Sequence, residues 1–307
     1  MSPDLAVIVV TYNSEDDLEP CLDSVAEIED LAVEVAVVDN ASTDATVALA
    51  EQRRSATVQV LANDENLGFG RAINQGVAAT TAPLILLLNP DAVLTPGSAE
   101  ALVGLSKDRP EHGLYGGLTR RNDGTLNEHT LRKLPSLLGT VTFGLGLAAV
   151  HPLLAVEKLD VPTELTTAPM VTASLLLIDR TVWDRLGGFD ERFFLYSEDA
   201  DLCRRAVDLG HLPLVDPGAV IVHDGGASSP DIGRKIAMMM AGRTTYIRIH
   251  WSGPQRWLAL ASLYVGVGIR AAADRVLGKR SWLTAWGLRS WWLPGYRPDA
   301  PPVPPAG

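Results

Sequence analysis

The sequence predicts an α/β fold, with a mainly parallel sheet covered by helices on both faces and a helical C-terminal extension. Three observations predict it. Residues 5–10 (LAVIVV), 33–38 (VEVAVV) and 84–88 (LILLL) are nearly continuous apolar runs, the pattern of strands buried on both sides. Segments with helical spacing separate them, as crossovers between parallel strands require. Each run closes on polar residues, so functional groups should collect along one sheet edge, where open α/β sheets bind ligands.

The first run ends in Thr11, Tyr12 and Asn13. Ser14 and Asp17 have capping-box spacing, with Asp in place of the usual Glu or Gln, and Leu18, Cys21, Leu22 and Val25 repeat at helical intervals. Pro20 lies too deep for a helix capped at Ser14, so the helix starts later or kinks there. The second run ends in Asp39 and Asn40, and Ala41-Ser42-Thr43-Asp44 is a turn and cap cluster before a helix to about residue 54. A short strand is expected at 57–61. Loop 63–70 (NDENLGFG) then opens a helix through Ala72, Ile73 and Val77. It is no dinucleotide fingerprint, because a third glycine and an acid at the expected offset are missing. Its glycines suit either a tight turn or a close backbone approach to a ligand.

The run at 84–88 ends in Asn89-Pro90-Asp91. Pro90 has no N–H for a ladder, so pairing should stop and leave Asp91 at the carboxyl end of a central strand. A helix is expected from Pro96 to about residue 107, a strand at 113–119, and a hairpin turn at Asn122-Asp123-Gly124. Residues 134–169 carry four prolines and read as a long connection. Residues 170–178 (MVTASLLLI) read as a strand. Gly187-Gly188 ends a short helix at 180–186. Phe189, Phe193, Phe194 and Tyr196 then form a compact loop, and Ser197 caps a helix that begins Glu198-Asp199-Ala200-Asp201. Acids in a first turn suit the helix dipole; that does not explain the aromatic loop in front of them. Two short strands, 212–215 and 219–222, precede His223.

With 307 residues the chain can bury one large core. Its two cysteines exclude a disulfide framework or a zinc cluster and fit a reducing compartment. The N-terminus has no basic segment before its first strand, so no signal peptide is expected. The net charge of −11 is unevenly spread: residues 234–297 hold eleven Lys or Arg and one acid, Asp274. Six of the seven Trp lie there too. An acidic body with a basic, Trp-rich segment suggests contact with an anionic surface, best matched by lipid head groups. The apolar run at 257–269 is shorter than the roughly 20 residues that span a bilayer. Met238, Met239, Met240, Tyr246, Ile247 and Ile249 read as a packed helix, and residues 298–307 (PDAPPVPPAG) as a disordered end.

Asp91, His223 and one of the acids at 198, 199 or 201 would make a hard oxygen and nitrogen set for Mg²⁺ or Mn²⁺. Such an ion neutralises a departing diphosphate, and a separate carboxylate can act as base on an incoming hydroxyl. No Ser/His/Asp nucleophile pattern is present. The set describes displacement at a sugar carbon that bears a nucleotide diphosphate.

At this point the chain resembles the inverting family 2 glycosyltransferases of GT-A (Rossmann-like) fold. The matching segments are VVTYNS (9–14), VVDNASTD (37–44), NLGFGRAINQG (66–76), LLLNPDA (86–92), GGFDERFFLYSEDADLCRR (187–205) and VIVHDGG (220–226). They occur in order within residues 5–226. NPDA with FFLYSEDADLC is most similar to the rhamnosyltransferase branch, which includes enzymes that add rhamnose to a polyprenyl-diphosphate-linked sugar. The resemblance implies a donor site of Thr11, Tyr12, Asn13, Asp39, Asn40, Asn66, Gly68, Arg71, Asn89 and Asp91. Tyr12 would flank the base and Asp39 would bond it. Asn89 replaces the first acid of the usual Asp-x-Asp. Asp91 and His223 would be metal ligands, and Asp199 the catalytic base, with Glu198 its rival. An apolar wall from residues 193, 194 and 196 would raise the base's pKa.

The resemblance further implies a domain at 1–226, with a nucleotide-binding half to about residue 110 and a catalytic half from 111, then a helical segment at 227–297. The donor would be dTDP-rhamnose, and the acceptor a polyprenyl-diphosphate-linked saccharide in cell-envelope synthesis. The C-terminal segment would hold the enzyme at the cytoplasmic face of the membrane. Nucleic acid is not an expected partner, and a homodimer stays open. The alternatives are a UDP-sugar donor (galactose or N-acetylglucosamine) and a non-catalytic nucleotide-sugar-binding module. A sugar-phosphate nucleotidyltransferase would need a Gly-rich basic loop after the first strand, where VVTYNSEDD is acidic.

Overall fold

The computed structural model describes residues 2–127, 131–147, 159–223 and 231–297. Residues 224–226 of the last matching segment and the proline-rich end at 298–307 lie outside them. The strands are β1 (Leu5–Thr11), β2 (Val33–Asp39), β3 (Val58–Ala62), β4 (Leu84–Leu88), β5 (Val93–Leu94), β6 (Leu114–Arg120), β7 (Leu131–Arg132), β8 (Thr166–Thr167), β9 (Met170–Val171), β10 (Leu175–Asp179) and β11 (Leu214–Val222). The helices are α1 (Leu18–Ala26), α2 (Thr46–Gln52), α3 (Phe69–Ala78), α4 (Ser98–Asp108), α5 (Leu137–Gly144), α6 (Arg180–Leu186), α7 (Glu198–Asp208), α8 (Ile232–His250), α9 (Gly253–Leu277), α10 (Ser281–Gly287) and α11 (Arg289–Trp292).

The chain forms two compact units. The first comprises Met1–Arg132, Leu159–Asp190 and Leu202–Ser228; the second comprises Lys133–Lys158, Glu191–Asp201 and Ser229–Gly307. The expected division placed its boundary at residue 226. The second unit draws in two earlier stretches as well, and one of them carries Glu198, Asp199 and Asp201.

The first unit contains a sheet ordered β3-β2-β1-β4-β10-β6-β11-β5, with β8 also paired to β11. Strands β3, β2, β1 and β4 are parallel, as are β6 and β11; β10 runs antiparallel between β4 and β6. The continuous apolar runs follow from burial on both faces. Leu5, Val7 and Val9 of β1 join Leu86 and Leu88 of β4 in a core with Leu18, Cys21 and Leu102 of α1 and α4. The alternate residues face α3: a Cβ at Gly76 would meet Ile8 and Val38 side chains at 2.6 and 3.1 Å. Glycine there lets the helix sit close on the sheet.

Several sequence expectations need correction. Helix α1 begins at Leu18 and its N-cap, Asp17, makes no side-chain cap bond. Ser14 instead takes the Leu18 N–H on its carbonyl, so Pro20 falls in the first turn, where its missing N–H costs nothing. Residues 170–178 are two strands, β9 and β10, in different sheets. The pair expected at 212–222 is one strand, β11, with an irregularity between Val215 and Val220. The connection at 134–169 contains helix α5, capped by the Ser136 side chain on the Gly139 N–H. The expected hairpin turn is present: Arg121 donates to Thr125 O at 2.8 Å.

The second unit is helical among its described residues. Close approach is again set by glycine. A Cβ on Gly144 of α5 would overlap the Ser262 carbonyl of α9, and one on Gly242 of α8 the Tyr196 carbonyl.

Candidate active site

The first unit gathers its polar strand ends as the sequence requires. In the β1–β2 register Thr11 lies opposite Asp39. Asp39 is fully buried, and its carboxylate accepts from Thr11 Oγ1 at 2.8 Å, from the Ser42 N–H at 2.8 Å and from the Ser42 hydroxyl. Three of its roughly four lone-pair sites are thereby filled. Asn13 accepts from the Thr43 N–H at 2.8 Å and gives its own N–H to Ser42 Oγ at 2.8 Å. It does so from a positive φ of 50°, which asparagine tolerates better than most residues. Asn40 donates to the Gly68 carbonyl at 3.2 Å and accepts from Asn63 at 3.2 Å. Asn66 accepts the Gly68 N–H at 2.9 Å. Gly68 has φ 87° at the head of α3, a backbone that side-chain-bearing residues avoid.

Of the expected donor residues, Thr11, Asn13, Asp39, Asn40, Asn66 and Gly68 thus make a hydrogen-bonded frame that shapes the loops. Tyr12 differs, with a ring 49% exposed at the same edge. Arg71 is exposed in the first turn of α3. Asn89 anchors its backbone: its N–H reaches Ser174 O at 3.3 Å, and its carbonyl takes Ala92 N–H and Cys21 Sγ.

Asp91 and His223 do come together, with His223 Nε2 2.9 Å from Asp91 Oδ1 and both side chains mostly buried. Strand β5, which no periodicity marks, is the cause. Val93 pairs with Val222, so Ala92 falls opposite His223 and Asp91, one residue further, comes within its reach. The His223 N–H is held by Arg120 O at 2.8 Å. Asp17 is a further acid beside the pair that sequence reasoning used only as a cap. Burial raises its pKa, the Asp91 and Asp16 charges raise it further, and His223 opposes them. The sequence signal was available in the acidic SEDD that follows the first strand.

Among the described residues no three His, Cys, Asp or Glu gather as a ready-made metal site. The donor set still fits a hard divalent ion. Mg²⁺ commonly takes one or two protein ligands and completes its shell with substrate phosphates and water. The 2.9 Å between Nε2 and Oδ1 is close to the spacing of adjacent octahedral ligands with bonds of about 2.1 Å.

The acids of α7 lie in the second unit. Tyr196 and Ser197 enter the helix at φ 69° and 73°, so this short turn holds two side-chain-bearing residues in the left-handed region. Glu198 is buried, and its Oε2 has no hydrogen-bond partner. Burial first, then the Asp199 and Asp201 charges, pushes its pKa up to about 8. Asp199 is half-buried and accepts the Ala200 N–H at 2.8 Å. Asp201 is fully buried, 2.8 Å from His250 Nε2 at the end of α8. The Tyr296 hydroxyl donates to Leu195 O at 2.7 Å, and its ring stands 6.1 Å from Phe194. In the first unit, Phe189 packs on Phe69 and Trp183.

A family model described as Glycosyl transferase family 2 matches residues 6–177. The N-acetylglucosaminyl-diphospho-decaprenol L-rhamnosyltransferase of Mycobacterium tuberculosis is 32% identical over 292 residues, covering 86% of this chain and 91% of that protein. Two solved structures share the fold. The mannosyltransferase PcManGT of Pyrobaculum calidifontis, in complex with GDP-Man and Mn²⁺, aligns with a TM-score of 0.60 at 18% identity, covering 95% of this chain and 88% of its own. S. aureus TarS 1-349 with UDP-GlcNAc gives a TM-score of 0.55 at 16% identity, covering 93% and 78%. The chain belongs to glycosyl transferase family 2 and is a glycosyltransferase of GT-A fold.

Proposed function

We propose that the protein transfers L-rhamnose, with inversion, from a thymidine-diphosphate donor to an N-acetylglucosaminyl-diphospho-polyprenol at the cytoplasmic membrane face. The observation that carries this reading is the similarity to the mycobacterial rhamnosyltransferase over most of both chains. Thr11, Asn13, Asp39, Asn40, Asn66 and Gly68 frame the donor loops, Tyr12 offers its ring to the base, and Arg71 offers a cation at the head of α3. Asp91 and His223 would hold Mg²⁺ or Mn²⁺, which when bound offsets the charge of the donor diphosphate.

Asp199 accepts the proton of the acceptor hydroxyl. The oxygen bonds to the sugar C1 as the C1–O bond to the diphosphate breaks on the opposite face. One displacement without a covalent enzyme intermediate inverts the anomeric centre. Glu198 is the weaker candidate for the base, because a carboxyl with pKa near 8 is largely protonated at neutral pH.

A thermal-shift screen of nucleotide sugars, with and without Mn²⁺, tests the reading. A thymidine-diphosphate rhamnose donor should raise Tm, Mn²⁺ should enlarge the shift, and Asp91→Asn should remove the Mn²⁺ increment. Stabilisation by uridine-diphosphate sugars alone would sink the rhamnose assignment.

A further inference from the structure

Helix α9 buries one face and leaves the opposite one bare. Its buried residues are Ala259, Leu260, Leu263, Gly266, Val267, Ala271 and Asp274. The exposed line is Leu258, Ala261, Val265, Ile269, Ala272 and Val276, which recur at three- and four-residue steps and so form one stripe. At 1.5 Å per residue it runs about 27 Å. Trp257 and Val276, near its two ends, are 73% and 86% exposed. Neighbouring helices border the stripe without covering it. Gly266 lies on the α5 side, against Gly144, and Gly268 and Tyr264 on the α10 side, against Trp286. Arg270 is turned to the α5 side, 4.2 Å from the Phe143 ring centroid. A soluble helix rarely leaves so long an apolar face in water without a partner.

Charge identifies the partner. Between residues 234 and 297 the single acid, Asp274, is buried, and its carboxylate accepts the Trp282 N–H at 2.7 Å. The exposed charges of this stretch are therefore cations, with Arg275, Lys279 and Arg280 gathered at one end of the stripe; Arg256 is half-buried, its Nε donating to the Trp251 carbonyl at 2.6 Å. A second copy laid on the stripe would supply no exposed acid from this stretch to meet those cations. An anionic bilayer supplies both an apolar layer and negative charge. No helix among the described residues is long and apolar enough to cross a membrane, so the helix would lie in the interface plane.

We propose that the exposed face of α9 is a docking surface for anionic lipid, with the stripe in the acyl boundary and the cations among the head groups. This deepens the membrane-surface reading above and rests on it.

The test is co-flotation of the full chain with phosphatidylcholine vesicles, with and without phosphatidylglycerol. The native chain should float with the anionic vesicles. Val265→Glu/Ile269→Glu should lower the bound fraction at least about tenfold, because it carries two carboxylates into the interface. Lys279→Glu/Arg280→Glu should erase the preference for phosphatidylglycerol. All four positions are solvent-exposed, so Tm and transfer to a water-soluble acceptor should stay unchanged in both variants.

Equal flotation of the Val265→Glu/Ile269→Glu protein would overturn the assignment of this face and leave the peripheral reading standing. Failure of the native chain to float would overturn both. A native dimer dissociated by the same substitutions, with no flotation, would assign the face to a second copy and overturn the proposal. Transfer to the water-soluble acceptor reports on the enzymatic reading independently of any bilayer.

Discussion

Two buried carboxylates, one in each unit, have opposite surroundings. Asp39 is enclosed at the β2 end and accepts three hydrogen bonds from Thr11 and Ser42. Glu198 is enclosed at the start of α7, and one oxygen accepts none. A buried acceptor with its partners made is cheap to keep and rigidifies what it touches, whereas an unpartnered one carries its desolvation cost. The difference separates a satisfied network from an acid with an unmade bond. The strand-end network holds loops in shape, and the α7 turn keeps its acids near one another at the expense of stability.

Four substitutions would break or sharpen that contrast. Asp199→Asn should have the largest effect, lowering kcat about 10²- to 10⁴-fold if Asp199 is the general base, with the donor-induced thermal shift kept. Equal turnover would remove the chemistry from this turn. Gly242→Ala should come next. A Cβ there overlaps the Tyr196 carbonyl oxygen, and displacing the backbone that enters α7 should cost up to about 100-fold in kcat with little change in donor affinity. Steady-state kinetics separates the two parameters.

In the other unit, Asp39→Asn should act on stability and donor KM more than on kcat. An amide cannot accept on its NH₂ from both Thr11 and Ser42, and each broken buried bond costs about 1–3 kcal/mol, read from denaturant unfolding. Glu198→Gln should have the smallest effect near neutrality, because it mimics the protonated carboxyl. Its signature is a pH slope. The native carboxyl has a raised pKa, so its folded state binds more protons than the unfolded chain between the ordinary glutamate range and about pH 8. Stability from this group is complete below that window and is lost as pH rises through it. Tm measured across the window should fall less in Glu198→Gln than in the native protein.

Much of the first unit is legible in the residue order. The doubly buried strands β1, β2 and β4 announce themselves as unbroken apolar runs, because both of their faces meet helices. Pro90 marks where β4 must stop. Gly187 and Gly188 end α6 where expected, both at positive φ. The misses are as instructive. Strand β5 is two residues long, below the length at which period-two alternation can show, yet its pairing with β11 joins Asp91 to His223. Helix α5 hides in LLGTVTFG, whose glycines and β-branched residues argue against a helix until α9 packs on them. Ser14 and Asp17 have cap spacing, and the chain uses Ser14 as a turn acceptor.

The sequence by itself determined the layered α/β architecture, the edge at which polar groups collect, and which residue types stand there. These follow from local rules of hydrophobic period, proline geometry and cap chemistry, which act over a few residues. Tertiary structure alone decided that Asp91 meets His223 across the β5–β11 pairing and that Asp39 is spent on Thr11 and Ser42. It also decided that Glu198 is buried with one oxygen unpartnered and that one side of α9 stays bare. Those outcomes depend on which distant elements pack together, and a carboxylate's partners and solvation are set by that packing.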